Sequence, residues 1–313
     1  MDTTLPVLDT FKNIFRWTFV PQILKQIKME KVKLNNGVEM PVLGFGVMLM
    51  MGEDCEKAVL DAIEAGYRLF DTAELYGNEQ AVGNAIKKSG IPREELFITT
   101  KFGSKEAGYE KTKAAFQKSL ELLQLDYIDL YLIHQPFGDI FGSWKAMQEL
   151  NNEGKIKAIG VCNFLPDRLM DLITNSGFTP TVNQIETHPF HQQIENQKYL
   201  QDNNVQIEAW GPFAEGMNNI FTNETLSEIA SKHHKTVAQV ILRWLTQRGV
   251  VAIPKTSSKE RMLENISIFD FRLKEEEVKN IESLDTKKSL VFDHRDPAIV
   301  KWLSEYGWLN GYM

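Results

Sequence analysis

Eight short apolar runs, separated by longer stretches with helical spacing, constrain this chain more than any other feature. The runs are YRLFD (67–71), LFITTK (96–101), IDLYLIH (128–134), AIGVCN (158–163), VNQIE (182–186), QIEAW (206–210), VVAIP (250–254) and SIFDF (267–271). Between them lie segments such as DCEKAVLDAIEAG (54–66), EQAVGNAIKKSG (79–90), KTKAAFQKSLELLQ (111–124) and TVAQVILRWLTQRG (236–249). Apolar residues recur there at three and four, and a glycine often ends the pattern. Continuously apolar strands separated by helices imply parallel pairing with both faces covered. Eight such units in roughly 250 residues are what a (β/α)₈ TIM barrel requires. An open doubly wound α/β sheet is the rival, and eight units rather than five or six favour closure.

Ahead of these units, KLNNGVEMPVLGFGV (33–47) places apolar runs around Asn36-Gly37, a hairpin signal. It is expected to form an N-terminal β-hairpin closing the bottom of the barrel. Residues 29–313 are then a single barrel domain, and 1–28 an N-terminal extension. Within the extension, KNIFRWTFVPQILKQIK (12–28) carries four basic residues and no acid. It reads as a basic amphipathic segment able to touch a membrane surface, as a disordered or barrel-packed extension, or as sequence upstream of a natural start at Met29. The composition excludes several other classes. A net charge of −7 argues against a nucleic-acid binder, and two cysteines cannot make a disulfide framework. With no run of 18 apolar residues and no signal-peptide pattern, the expectation is a cytoplasmic protein without a membrane partner.

Chemistry in such a barrel sits where the strands end. Here the ends carry Asp71, Lys101, His134, Asn163, Gln184 or Glu186, and Trp210. Singly, each has a dull explanation: a helix cap, or a hydrogen-bonded core histidine. Together they bring several titratable groups to one mouth, where they must pair or suffer desolvation. Tyr76, in what reads as the first βα loop, is close enough in sequence to Asp71 to lean over that mouth. A lysine cation beside a phenol stabilises its anion, and a phenol tuned in this way can protonate a developing oxyanion. Near the end, IPKTSSKERMLEN (253–265) gathers Lys255 and Arg261 around hydroxyl residues, a rim position that suits phosphate. GFGVML (44–49) lacks the third glycine of a Rossmann loop. HPFH (188–191) has no third ligand nearby, so no metal is expected.

DTAELYGNE (71–79), ITTK, YLIHQP, IGVCNF, VNQIETHP and IPKTSSKERMLEN, in this order, resemble the aldo-keto reductase family, bacterial diketogluconate-reductase-like members in particular. The resemblance covers about 29–313 and implies a monomeric barrel that binds NADPH and reduces aldehydes or ketones. It also implies roles. Tyr76 is the general acid, Lys101 lowers its pKa, Asp71 holds Lys101, and His134 orients the carbonyl. Asn163 and Gln184 bind the carboxamide, and Trp210, followed by Gly211, stacks on the nicotinamide. Lys255, Thr256 and Arg261 hold the 2′-phosphate, Ser257 is a further cofactor-binding position, and Glu264 and Asn265 lie at the adenine. Met48, Phe102, Phe292 and Trp302 are the expected substrate pocket, and Trp308 could also fold over the mouth from the tail.

Four departures from the family pattern stand out, one being Trp210 in place of the commoner tyrosine, which still offers a flat stacking face. Cys162 replaces the serine that contacts the nicotinamide. Met48 and Gly103 replace two pocket tryptophans, which predicts a wider pocket. The loop GPFAEG (211–216) is short, which argues against a tight clamp over the pyrophosphate. Two rival functions remain at this level: an aldolase using Lys101 as a Schiff-base amine, and an NADPH-binding sensor that turns over poorly.

Overall fold

The computed structural model describes residues 29–305. The expectations for residues 1–28 and for Trp308 lie outside this range. A hairpin of β1 (Lys31–Lys33) and β2 (Glu39–Pro41) comes first. Eight parallel strands follow: β3 (Phe45–Gly46), β4 (Leu69–Asp71), β5 (Phe97–Phe102), β6 (Ile128–Ile133), β7 (Ile156–Cys162), β8 (Val182–Glu186), β9 (Gln206–Trp210) and β10 (Val251–Ala252). They pair in chain order from β3 to β10. A parallel bridge between Leu43 and Ala252 closes the ring, with Gly44 N donating to Ala252 O at 2.8 Å and Ala252 N to Val42 O at 3.0 Å. The result is the (β/α)₈ barrel that the alternation predicts.

Its roster of strands differs from the expected one at a single place. SIFDF (267–271) is no strand; Ile268 is buried and Phe269 packs beside it against the helical layer. The missing member is β3, within the segment assigned to the hairpin. At two residues it is too short to show an apolar run, and its glycines hide it further. They are required by the close approach of neighbouring strands: a Cβ on Gly44 would lie 2.2 Å from Leu69 Cδ2, and one on Gly46 3.2 Å from Ile253 O. Every later strand therefore moves up one place. Tyr76 follows the second barrel strand, and Lys255 follows the eighth.

The hairpin plugs the end of the barrel where the strands begin. Leu34 and Met40 are buried with Leu69, Phe97, Leu130, Val182 and Val251. Asn35 Nδ2 donates to the carbonyls of Pro180 and Asn204, each at 3.0 Å, and Asn36 Nδ2 to that of Lys157 at 2.9 Å, all at or just before strand starts. Around the ring run the helices α1 (Gly52–Ala65), α2 (Glu79–Ser89), α3 (Tyr109–Leu123), α4 (Ile140–Asn152), α5 (Pro166–Ser176), α6 (Ile194–Asp202), α7 (Glu224–His233), α8 (Val237–Gln247), α9 (Lys259–Ile266), α10 (Glu275–Glu282) and α11 (Pro297–Glu305). Their apolar stripes pack on the outward residues of the strands, Ile98 and Ile133 for example. Inward residues alternate with these, so each strand sends its last inward side chain to the open mouth. Among the described residues, no helix is long and apolar enough to cross a membrane.

Candidate active site

Strand period decides which side chains meet. On β5, Phe97, Thr99 and Lys101 face inward, and Lys101 is fully buried. Its Nζ donates to Asp71 Oδ1 at 2.6 Å and to Thr72 O at 2.9 Å, Asp71 being the last residue of β4. The chain then makes a single 3₁₀ turn, Glu74–Tyr76, which Gly77 ends in the left-handed region at φ 64°. That reversal carries Tyr76 back over the strand end. Asn78 fixes the loop from below: it accepts from Thr72 Oγ1 at 2.6 Å and donates to the carbonyls of Val47 and Met50 at 2.8 and 2.9 Å. Lys101 Nζ lies 5.0 Å from the centre of the Tyr76 ring. His134, just beyond β6, meets that ring edge-on, with centroids 5.8 Å apart.

The electrostatics follow from burial and from one cation. Burial drives the Tyr76 phenol upward; Lys101, by charge and by hydrogen bond, draws it down without cancelling the rise, to which Asp71 adds. Lys101 thus acts in the direction that the family resemblance implies, while dehydration of the phenol oxygen outweighs it and leaves the net direction upward. Burial also works to discharge Lys101, but the carboxylate of Asp71 and the Tyr76 oxygen hold its proton, and its pKa ends above the ordinary value. His134 is held well below the usual imidazole range by burial first and by the Lys101 cation second, so it is neutral. Its buried Nδ1 has no partner among the described residues.

Asp71, Tyr76 and His134 line a cavity of about 310 Å³ together with Gly46, Met48, Gln135, Asn163, Gln184, Trp210, Gly211, Lys255 and Arg261, and Lys101 lies buried beside Tyr76. Trp210 Nε1 donates to Asn163 Oδ1 at 2.8 Å, and Asn163 Nδ2 to His134 O at 3.2 Å, so the indole plane and the amide are set together. A flat indole, two amides and two cations along one cavity fit a nicotinamide dinucleotide: a ring to stack, a carboxamide to bind and phosphate to neutralise. Thr256, Ser257, Glu264 and Asn265 do not line this cavity. Thr256 Oγ1 accepts from Ser258 N at 3.2 Å in the turn before α9, and Glu264 and Asn265 lie further along that helix.

Two pocket expectations are corrected. Phe102 follows inward-facing Lys101 directly, so it points outward and packs against Tyr131, ring centroids 5.5 Å apart. Gly103 opens no space, because Leu75 methyls already sit 3.0 Å from where its Cβ would be. The short loop also reaches further than expected: Phe213, Glu215 and Gly216 line the cavity, as does Phe221 beyond the loop. The tail does cover the mouth. Leu303 of α11 is buried against Tyr76 and Ala73, with Trp302 and Phe292 packed beside them. Phe292 lines the cavity and lies 6.2 Å from Trp210, centroid to centroid, while Trp302 stands behind Phe292 at 6.3 Å.

Sequence reasoning left two carboxyls without a role. Glu186, inward on β8, holds the tail: it accepts from Ser289 Oγ, from Leu290 N at 2.9 Å and from His188 Nε2 at 2.9 Å. Glu208, inward on β9 and fully buried, accepts from Gln184 Nε2 at 2.9 Å. Both lie two residues from a recognised site residue on the same strand, a period-two signal present in the sequence.

A parallel barrel with a buried phenol, ammonium and imidazole at its mouth, beside an indole, two amides and two cations, has the make-up of a nicotinamide-dependent oxidoreductase. The aldo/keto reductase family model matches residues 42–286. The chain belongs to the aldo-keto reductase family. It is 49% identical to glyoxal reductase of Bacillus subtilis (strain 168) over 82% of this chain and 93% of that protein. With methylglyoxal reductase DkgA of Escherichia coli (strain K12) it shares 43% over 83% and 94%. An aldo-keto reductase from a Medee basin deep-sea metagenome library superposes with a TM-score of 0.83 at 46% identity, covering 85% of this chain and 98% of that one. A Bombyx mori aldo-keto reductase solved in complex with NADP gives 0.80 at 34%, covering 88% and 96%.

Proposed function

We propose that this chain reduces aldehydes or ketones to alcohols with NADPH, using Tyr76 as the general acid, and that short α-oxoaldehydes are its preferred substrates. The observation that carries the reading is the Asp71–Lys101 pair packed against Tyr76 at the floor of the cavity that Trp210, Asn163 and Gln184 line. Bound NADPH supplies a hydride from nicotinamide C4 to the carbonyl carbon. The protein's own part is to hold and deliver a proton. Neutral His134 hydrogen-bonds the carbonyl oxygen and sets its position beside the phenol. Tyr76 gives its proton to that oxygen as negative charge develops. An alkoxide is a stronger base than a phenolate, so the transfer runs downhill even from a phenol raised by burial. Lys101 offsets the phenolate left behind, and Asp71 keeps Lys101 charged. Lys255 and Arg261 suit the 2′-phosphate, which favours NADPH over NADH.

The substrate class rests on the cavity and on the relatives. Met48, Phe213, Phe221 and Phe292 give apolar walls, and Gln135 supplies one polar group near His134. Two relatives are named for glyoxal and methylglyoxal. A cytoplasmic setting is supported by two buried free thiols, Cys55 and Cys162. An aldolase role is disfavoured because a Schiff base needs a neutral amine, whereas Lys101 is held protonated by Asp71.

The test is loss of NADPH absorbance at fixed cofactor across glyoxal, methylglyoxal, keto sugars, quinones and keto steroids. Fastest turnover with the α-oxoaldehydes is expected. No NADPH consumption with any carbonyl would overturn the reading, and borohydride trapping of a substrate on Lys101 would replace it.

A further inference from the structure

Gln184 spends both hydrogens of its amide on carboxyl oxygens. Its Nε2 donates to Asp71 Oδ2 at 2.9 Å and to Glu208 Oε2 at 2.9 Å, and an amide nitrogen has no third hydrogen to give. Turning the amide over would set its carbonyl oxygen against the Asp71 carboxylate, which can only accept, in a dry interior. The orientation is therefore locked: Gln184 Oε1 accepts from Cys162 Sγ at 3.9 Å and keeps a second lone pair, on a residue that lines the cavity.

Asp71 has an independent reason to be where it is, since it pairs Lys101. Glu208 has none. It is fully buried beneath Trp210, and its second oxygen, Oε1, has no partner among the described residues. A buried carboxyl with one idle oxygen is costly, and an apolar residue would fill the same space without that cost. Among the described residues its one hydrogen bond is with Gln184.

We infer that Glu208 is a positioning residue for the cofactor: with Asp71 it locks the Gln184 amide so that its carbonyl oxygen accepts the hydrogen bond of the nicotinamide carboxamide. This rests on the NADPH reading above. The groups that face Glu208 are Asp71 on β4, Lys101 on β5, Cys162 on β7 and Gln184 on β8. Burial first, and the Asp71 charge second, push its carboxyl up to about 8, so it is neutral at pH 7. A neutral carboxyl still accepts through its carbonyl oxygen, and it adds no second negative charge beside Asp71. Glutamine should therefore replace it, and a hydrocarbon should not.

Two cofactors separate this role from a merely structural one: NADPH, and the reduced 3-acetylpyridine analogue, which has a methyl where the carboxamide has its NH₂ and so offers no hydrogen to Gln184. Dissociation constants come from quenching of protein fluorescence. Glu208→Leu is expected to weaken NADPH about tenfold, the worth of one hydrogen bond in a buried site, while the analogue changes less than about twofold. Glu208→Gln is expected to keep both constants within about twofold of the parent. Equal weakening of the two cofactors by Glu208→Leu overturns the inference, as does no weakening of either. Should Glu208→Leu not fold, a tenfold loss of NADPH affinity in Glu208→Gln overturns it by itself. Failure of the NADPH reading looks different: the parent protein would bind neither cofactor.

Discussion

Replacing Lys101 by methionine removes the cation packed beside the phenol while keeping a side chain of similar length in the barrel. The ammonium lies 5.0 Å from the centre of the Tyr76 ring. At an effective dielectric of about 20, a unit charge at that distance is worth about 3 kcal/mol in favour of the phenolate. Fully expressed in the transition state, that is roughly a 150-fold loss of kcat/KM for carbonyl reduction; half expressed, roughly 12-fold. The single variant also strands the buried carboxylate of Asp71, at a cost on the order of 3–5 kcal/mol in stability. The informative protein is therefore the double variant Asp71→Asn, Lys101→Met, in which no buried charge is left unpaired. The assay is steady-state NADPH consumption with methylglyoxal, alongside NADPH binding by fluorescence and unfolding in urea. A folded, NADPH-binding double variant should still lose at least about tenfold in kcat/KM. A double variant within about twofold of the parent would show that the cation does not assist the phenol, and the electrostatic argument would fail.

Three further outcomes are expected. Lys255→Ala and Arg261→Ala should each weaken NADPH binding by about 10- to 100-fold, the worth of a charge-assisted hydrogen bond, with NADH nearly unaffected; equal losses for both cofactors would remove these residues from the 2′-phosphate. Glu208 binds its proton more tightly folded, at about 8, than at its ordinary 4.5. Its contribution to stability is thus full below pH 4.5 and lost as pH rises through about 8, up to a ceiling on the order of 5 kcal/mol; urea unfolding across this window should show Glu208→Gln losing less stability than the parent, and parallel curves would contradict the assignment. Glu186→Ala, which releases Ser289 and Leu290, should raise KM for methylglyoxal several-fold and speed proteolysis of residues 285–296 without changing NADPH affinity; an unchanged KM would show that the tail needs no such tether.

Much of the site is legible because it depends on local rules. Alternation of apolar runs and helices marks a barrel, and barrels expose their strand ends, so Asp71, Lys101, His134, Asn163, Gln184 and Trp210 can be placed at one mouth before any coordinate is known. What escapes depends on distance or on context. β3 is too short and too rich in glycine to show a pattern, and only its contacts with Leu69 and Ile253 explain those glycines. SIFDF has a strand's composition but packs against helices. Phe102 could have been placed by the same period that places Lys101, since neighbours on a strand face opposite ways. Glu208 stands two residues before Trp210, and period two puts it inside, yet that it forms no ion pair among the described residues appears only once the ring closes. The net rise of the Tyr76 phenol is equally non-local: it reflects how completely the mouth is buried, including by Leu303, far along the chain.

The central claim is that the Tyr76 hydroxyl delivers the proton, and removing that single oxygen tests it most directly. In Tyr76→Phe, single-turnover NADPH consumption with methylglyoxal should fall by at least about 100-fold, because the lost proton transfer acts only in the transition state. The NADPH dissociation constant should stay within about twofold of the parent. A variant that binds NADPH normally and still reduces methylglyoxal at the parental rate would contradict the account.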